Sequence, residues 1–154
     1  MAMNREKAKG RKEGGHFVAI PHAIINSSNF RKMGGYAVKL LTQMIEQLRY
    51  VKGGGTKNNG DLCVSWSLMK GKGWRSKGTL QRARDELLHY GFIQLTRQGM
   101  ATVKGKPNLY ALTFLAIDEC DGKLDVSPTR SPSGLWKNEA SLFKTERKKN
   151  ACIS

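Results

Sequence analysis

Lysine and arginine side chains crowd one stretch in the middle of this chain. No acidic residue occurs between Leu62 and Arg84, and the second half of that stretch holds Lys70, Lys72, Arg75, Lys77, Arg82 and Arg84. Such groups donate hydrogen bonds to phosphate oxygens and to base edges. Like charges held this close repel one another unless a polyanion neutralises them, and an ordinary solvated surface mixes both signs. We therefore expect this stretch to bind a polyanion.

The whole chain is strongly basic. Its 154 residues include 27 Lys and Arg against 12 Asp and Glu, a formal net charge of +15. Residues 16–117 alone hold fifteen basic and four acidic residues, a net charge of +11, so the excess does not lie only at the ends. The length and the 39% hydrophobic content predict one domain with one core, plus tails. The charge favours nucleic acid as the partner.

Several protein classes do not fit this composition. The sequence contains no apolar run of about 18 residues, which a membrane-spanning helix needs. The basic N-terminus is not followed by the apolar stretch of a secretory signal. Cys63, Cys120 and Cys152 are odd in number and far apart, which argues against a disulfide framework or a zinc site. We expect a reduced, cytoplasmic location.

No residue pattern predicts an enzyme, a cofactor or a metal site. His16, His22 and His89 have no nucleophile or metal partner at a recognised spacing. The stretch 53–57, GGGTK, lacks the first glycine and the preceding strand of a phosphate-binding loop. An acidic cluster (Asp118, Glu119, Asp121 and Asp125) lacks the pattern of an EF-hand loop. It leaves a metal-dependent nuclease as a weak alternative, and an acidic cap on the fold is the preferred interpretation.

Apolar spacing predicts three helices and a hairpin. Residues 35–50 carry one apolar stripe at helical period: Ala37, Leu40, Leu41, Met44, Ile45 and Leu48. Ser65 is a good cap for a short helix that ends near residues 71–73. Ser76 caps a longer helix at 79–89, with Gly91 placed to end it. Residues 92–96 and 109–117 read as strands, the first with Ile93 and Leu95 on one face.

The order of these elements predicts the fold. A helix, a short strand at residues 62–64, a helix, a tight turn, a helix and a hairpin with a basic tip form a helix-turn-helix with a wing. The fold class is therefore α+β, a winged helix with a three-helix core and a two-stranded β wing. This arrangement inserts its second helix into a DNA major groove, while the wing reaches a neighbouring backbone or minor groove.

The chain also resembles a known family. The pattern consists of Ser76, Thr79, Leu80, Arg82, Ala83, Glu86, Leu87, Gly91, Phe92 and Ile93. It resembles winged-helix domains of phage, plasmid and integrated-element proteins, and residues 109–113 (LYALT) match the return strand of their wing. The resemblance covers about residues 16–118, with the Lys- and Gly-rich loop at 52–60 as a departure. It implies DNA binding by a regulator or replication initiator, although this scaffold serves several tasks.

Helical geometry assigns roles around the second helix. With Leu80 facing the core, the positions on the far side include Gln81 and Arg82, suited to adenine and guanine edges. Asp85 is expected to orient one of these two side chains or to accept from cytosine. The full predicted DNA-contacting set is Arg75, Ser76, Lys77, Gly78, Thr79, Gln81, Arg82, Asp85, Arg97, Lys104 and Lys106.

The sequence divides into an arm, a domain and a tail. Residues 1–15 predict a disordered basic arm and residues 16–125 the winged-helix domain. Residues 126–154 predict a linker and a basic C-terminal tail. Four apolar residues in the tail fit one amphipathic helix, and a disordered tail is an equal alternative: Leu135, Trp136, Leu142 and Phe143.

The leading hypothesis is a non-enzymatic, double-stranded-DNA-binding protein of a mobile element. It would recognise a site in order to regulate transcription or mark a replication origin. The main alternative is an adaptor that recruits replication or transcription machinery through the apolar residues of its tail. RNA binding is less favoured because no aromatic stacking platform is visible.

Overall fold

The computed structural model describes residues 14–100 and 102–144. Within these ranges the chain forms five α-helices: α1 (His22–Ile25), α2 (Ser28–Lys32), α3 (Gly35–Glu46), α4 (Trp66–Met69) and α5 (Lys77–His89). Two strands, β1 (Ile93–Arg97) and β2 (Leu109–Leu112), form one antiparallel sheet. Short 3-10 turns occur at Lys70–Lys72, Cys120–Gly122 and Leu135–Lys137. The fold class is α+β, as predicted, and the layout is compatible with a winged helix.

Helices α3 and α5 pack against each other and enclose the core. The predicted apolar stripe of α3 is buried along its length: Ala37, Leu40, Leu41, Met44 and Ile45. Leu80, which was predicted to face the core, forms the buried face of α5 together with Ala83 and Leu87. Burial of these aliphatic side chains stabilises the pair and fixes which face of α5 points outward.

Both predicted caps of α5 are present. The Ser76 hydroxyl accepts from the backbone N–H of Thr79 at 3.3 Å. At the other end Gly91 takes a left-handed conformation, with φ of 76°. The next backbone N–H, of Phe92, donates to the Leu87 carbonyl at 3.0 Å, which completes a Schellman motif.

The hairpin departs from simple alternation. A bulge between Leu95 and Arg97 leaves Thr96 buried, where its hydroxyl donates to the Gly60 carbonyl at 2.6 Å. Leu95 is 39% exposed although Ile93 is buried, so the two residues predicted to share one strand face differ in burial. The predicted strand at 62–64 is reduced to one bridge between Leu62 and Tyr110.

The N-terminal part also differs from expectation. Helix α2 was not predicted; Ser27 caps it by accepting from Phe30 N at 3.2 Å. Residues 16–20, which precede α1, have no strand pairing. Of the arm predicted at residues 1–15, residues 1–13 lie outside the described residues.

Residues 126–144 are not a linker followed by a helix. The backbone N–H groups of Thr129 and Gly134 each donate at 2.9 Å to carbonyls of the domain, those of Ile117 and Thr113. Only one 3-10 turn forms after residue 134, and the chain then runs without regular structure to residue 144. We call residues 134–143 the strap. Its backbone bonds with the domain replace those of the predicted amphipathic helix, whose last residues, 145–149, lie outside the described part.

A buried asparagine holds the strap to the domain. The Asn29 side chain is 1% exposed. Its Nδ2 donates to the carbonyls of Trp136 at 3.0 Å and Asn138 at 2.8 Å, and also to that of Tyr90 at 3.0 Å. Its Oδ1 accepts from the Ala140 N–H at 2.9 Å. One side chain therefore joins α2, the end of α5 and the strap.

Candidate nucleic-acid interface

The outward face of α5 carries most of the predicted contact residues. Lys77, Gly78, Gln81 and Arg82 are exposed, as is Arg75 in the turn before the helix. The Arg82 guanidinium has one weak internal contact, to the Thr79 hydroxyl at 3.5 Å. These side chains share one surface because the opposite face of α5 is buried against α3.

Two of the predicted contact residues, Ser76 and Thr79, form the N-terminal cap of α5. The exposed Ser76 uses its hydroxyl oxygen to cap the helix. Thr79 is half-buried and receives that cap through its backbone. The helix start nevertheless lies on the same surface as Lys77, and its first turn suits an anion.

Asp85 does not orient Gln81 or Arg82. Its Oδ1 instead accepts from its neighbour Arg84, from Nε at 3.3 Å and from Nη2 at 3.2 Å. The pairing is local and partly exposed, so it adds little stability. Asp85 partly neutralises the charge of Arg84. Because Asp85 bonds to Arg84, the side chains of Gln81 and Arg82 stay free to contact a ligand.

The Glu86 carboxylate binds a backbone N–H group at the start of α3. Its Oε1 accepts from the backbone N–H of Gly34 at 2.7 Å. Gly34 is the N-cap of α3 and has no side chain with which to cap the helix. A carboxylate of α5 thus caps the start of α3, where the helix dipole favours negative charge.

Three cations of the hairpin were predicted to contact DNA, and the two in its loop, residues 98–108, are the ones that it presents to solvent. Lys104 and Lys106 are exposed. Arg97 is half-buried, and its Nη2 donates to the Pro107 carbonyl at 3.0 Å. Its Nε is buried without a hydrogen-bond partner among the described residues. Arg97 is therefore tied into the hairpin, unlike the two lysines.

Two serine residues at the start of α4 line grooves beside α5 and the hairpin loop. A groove of about 210 Å³ separates α5 from residues 64–66. A larger groove of about 770 Å³ runs between Ser65, Ser67 and the hairpin loop. Ser65 lines both, so the two grooves, one beside α5 and one beside the hairpin loop, adjoin at this residue. The capping role predicted for Ser65 was wrong, because its side chain makes no cap hydrogen bond. Its place directly before α4 was the signal in the sequence that could have assigned it to this surface.

Two acidic residues, Asp61 before the hairpin and Asp118 after it, hold loops in place. Asp118 accepts from the Thr56 hydroxyl at 2.7 Å and from the backbone N–H of Asn59 at 2.8 Å. Asp61 pairs with Lys123 at 2.7 Å, and this hydrogen bond raises the pKa of the lysine. Among the described residues no group of three or more His, Cys, Asp or Glu is arranged to hold a metal ion.

The four apolar residues assigned to a protein partner fall into two pairs. Trp136 and Phe143 are half-buried and pack against the core. Leu135 and Leu142 are exposed, by 41% and 63%. The structure therefore does not bring the four together on one free apolar face.

No helix in the described parts of the chain has both the length and the apolar character to cross a bilayer. Comparison of the chain with protein-family models, with curated proteins and with solved structures finds no match.

Proposed function

We propose that this protein is a winged-helix protein that binds double-stranded DNA. In this proposal α4 and α5 are the helix-turn-helix, α5 enters the major groove, and the β1–β2 hairpin is the wing. Gln81 and Arg82 read base edges. Arg75, Lys77, Lys104 and Lys106 contact phosphates and hold the protein in register. The pattern at residues 76–93 further favours a regulator or origin-binding protein of a mobile element.

One observation carries the proposal. An amphipathic helix with a buried apolar face presents exposed basic and amide side chains, and two grooves that adjoin at Ser65 lie between this helix and a basic hairpin loop. A helix about 20 Å long is a suitable size for a major groove, which admits an α-helix. The +11 net charge of residues 16–117 supplies the long-range attraction to the duplex.

Selection of bound duplexes from a random pool tests the proposal. It should be run at about 150 mM salt, because basic proteins bind any nucleic acid at low salt. We expect a consensus sequence to be recovered, with a symmetry that reports one copy or two. Failure to retain any duplex above background would contradict DNA binding.

Two variants separate base reading from phosphate binding. Arg82→Ala should cost about 1–3 kcal/mol and relax the consensus at one position. Lys104→Ala should weaken all sequences equally and reduce the salt slope by about 1. An unchanged consensus with Arg82→Ala would refute the assignment of α5 as the reading helix.

The second candidate function is that of an adaptor. It is favoured by the exposure of Leu135 and Leu142 on the strap. Loss of a protein partner on Leu142→Ser, with duplex binding retained, would support it.

A further inference from the structure

A stripe of side chains on α3 holds the turn that precedes α5. Tyr36, Lys39 and Gln43 are spaced by three and four residues, so they share one helix face. Gln43 accepts from the Trp74 indole N–H at 2.7 Å. The Lys39 ammonium donates to the Gly73 carbonyl at 3.3 Å and lies 5.1 Å from the centre of the Trp74 ring. The turn is therefore fixed to α3 by two of the three side chains.

Tyr36, the third member, is exposed at the end of this stripe. Its ring lies 6.0 Å from that of the buried Trp74, at 43° between the planes. It is nevertheless 62% exposed. Within residues 14–100 and 102–144 its hydroxyl has no hydrogen-bond partner. The ring is thus supported on one side while the hydroxyl stays available to a ligand.

The surroundings of Tyr36 carry more positive than negative charge. Arg75 is exposed in the turn, and Lys77 is exposed in the first turn of α5. Glu86, whose Oε1 accepts from the Gly34 backbone N–H, keeps its negative charge here, but Lys39, Arg75 and Lys77 outnumber it. The patch therefore favours an anionic partner.

We propose that Tyr36, Lys39 and Arg75 bind the sugar-phosphate backbone of duplex DNA. This surface, on the α3 side of the turn, takes the strand next to the segment that α5 contacts. A phosphate oxygen accepts from the tyrosine hydroxyl, and the lysine and arginine add charge-assisted hydrogen bonds. The proposal rests on the proposed function and extends the contact surface from α5 to the start of α3.

The test compares paired variants of the full chain on one duplex over a range of salt. Tyr36→Phe removes one hydroxyl and no charge, so affinity should fall by about threefold to tenfold with an unchanged salt slope. Lys39→Gln should weaken binding and reduce the slope by about 0.9, because one phosphate contact is lost. Thermal melting confirms that each variant is folded.

The matched control residues lie beyond the other end of α3. By helical rise, that end is about 15 Å from Tyr36. Tyr50 is 60% exposed, close to the value for Tyr36, and Lys52 is exposed. Tyr50→Phe and Lys52→Gln should leave affinity and salt slope unchanged.

A second readout is photo-crosslinking with benzoylphenylalanine at position 36 or 50. Crosslinks to the duplex from position 36, with few or none from position 50, support the proposal. Equal yields from both positions overturn it.

The outcomes distinguish this inference from the proposed function. If Tyr36→Phe and Lys39→Gln bind like the unmodified protein while Arg82→Ala loses site preference, the α3 surface is refuted and DNA binding by α5 stands. If the unmodified protein does not retain the duplex, both proposals fail.

Discussion

Replacement of Asn29 by alanine tests whether one buried amide holds the strap. The amide makes three donated bonds and one accepted bond. Because Nδ2 has two hydrogens for three carbonyls, at least one hydrogen is shared between two carbonyl oxygens. A net value of about 0.5–1.5 kcal/mol per bond, with water able to reach the outer strap groups, gives a loss of about 3–4 kcal/mol.

Urea unfolding followed by circular dichroism measures this loss. With a slope of about 1.5–2 kcal/mol per molar for a domain of this size, the midpoint should fall by about 2 M. Hydrogen exchange should also increase at residues 134–143, because the strap loses its shared anchor. Glu139→Gln is the matched control on the same strap. It removes the charge of an exposed ion pair with Lys32 and should leave the midpoint unchanged.

A midpoint shift below about 0.5 M for Asn29→Ala would refute this reasoning. It would mean that the strap is held by its apolar side chains, Trp136 and Phe143, and that the amide bonds are replaced by water. Unchanged exchange at residues 134–143 would point the same way.

Two further predictions concern backbone geometry and pH. Gly91→Ala should destabilise the fold by about 1–2 kcal/mol or more, because φ is 76° and a Cβ would lie 2.7 Å from the Leu135 carbonyl oxygen. In the same urea assay Gly78→Ala should stabilise by up to about 1 kcal/mol, since that position is helical and open; equal losses for both would contradict the geometry. Burial, with nearby Asp61, raises the pKa of Cys120 to about 11 from 9.0. Its contribution to stability should be present below pH 9 and decline as pH rises towards 11, and Cys120→Ala should flatten that decline in melting curves.

The sequence was most informative where the determining contacts are local. The stripe on α3 and the caps of α5 involve residues a few positions apart, so the helical period and cap residues predicted them. The strap could not be predicted in this way. Asn29 and Trp136 are 107 positions apart, and nothing near either residue indicates the other. The proline- and serine-rich composition of 127–134 favoured a linker, but long-range hydrogen bonds overrode it.

At the candidate interface too, local features were predictable from the sequence and long-range contacts were not. Helical geometry correctly placed Gln81 and Arg82 on the exposed face of α5. It could not show that Arg97 bonds to the Pro107 carbonyl, since the bulge in β1 sets the direction of that side chain. Nor could it show that Glu86 caps α3, because this contact joins residues 52 positions apart.

The presentation of α5 depends on anchors at both of its ends. The turn before α5 is held through Gln43 and Lys39, and Glu86 in the last turn of α5 caps α3. After its last turn, Asn29 binds the Tyr90 carbonyl together with the strap. A helix held this way has little freedom to lose on binding, so more of the interaction energy appears as affinity. For the proposed DNA binding, loosening the strap should therefore weaken duplex affinity even though no strap residue is assigned a DNA contact.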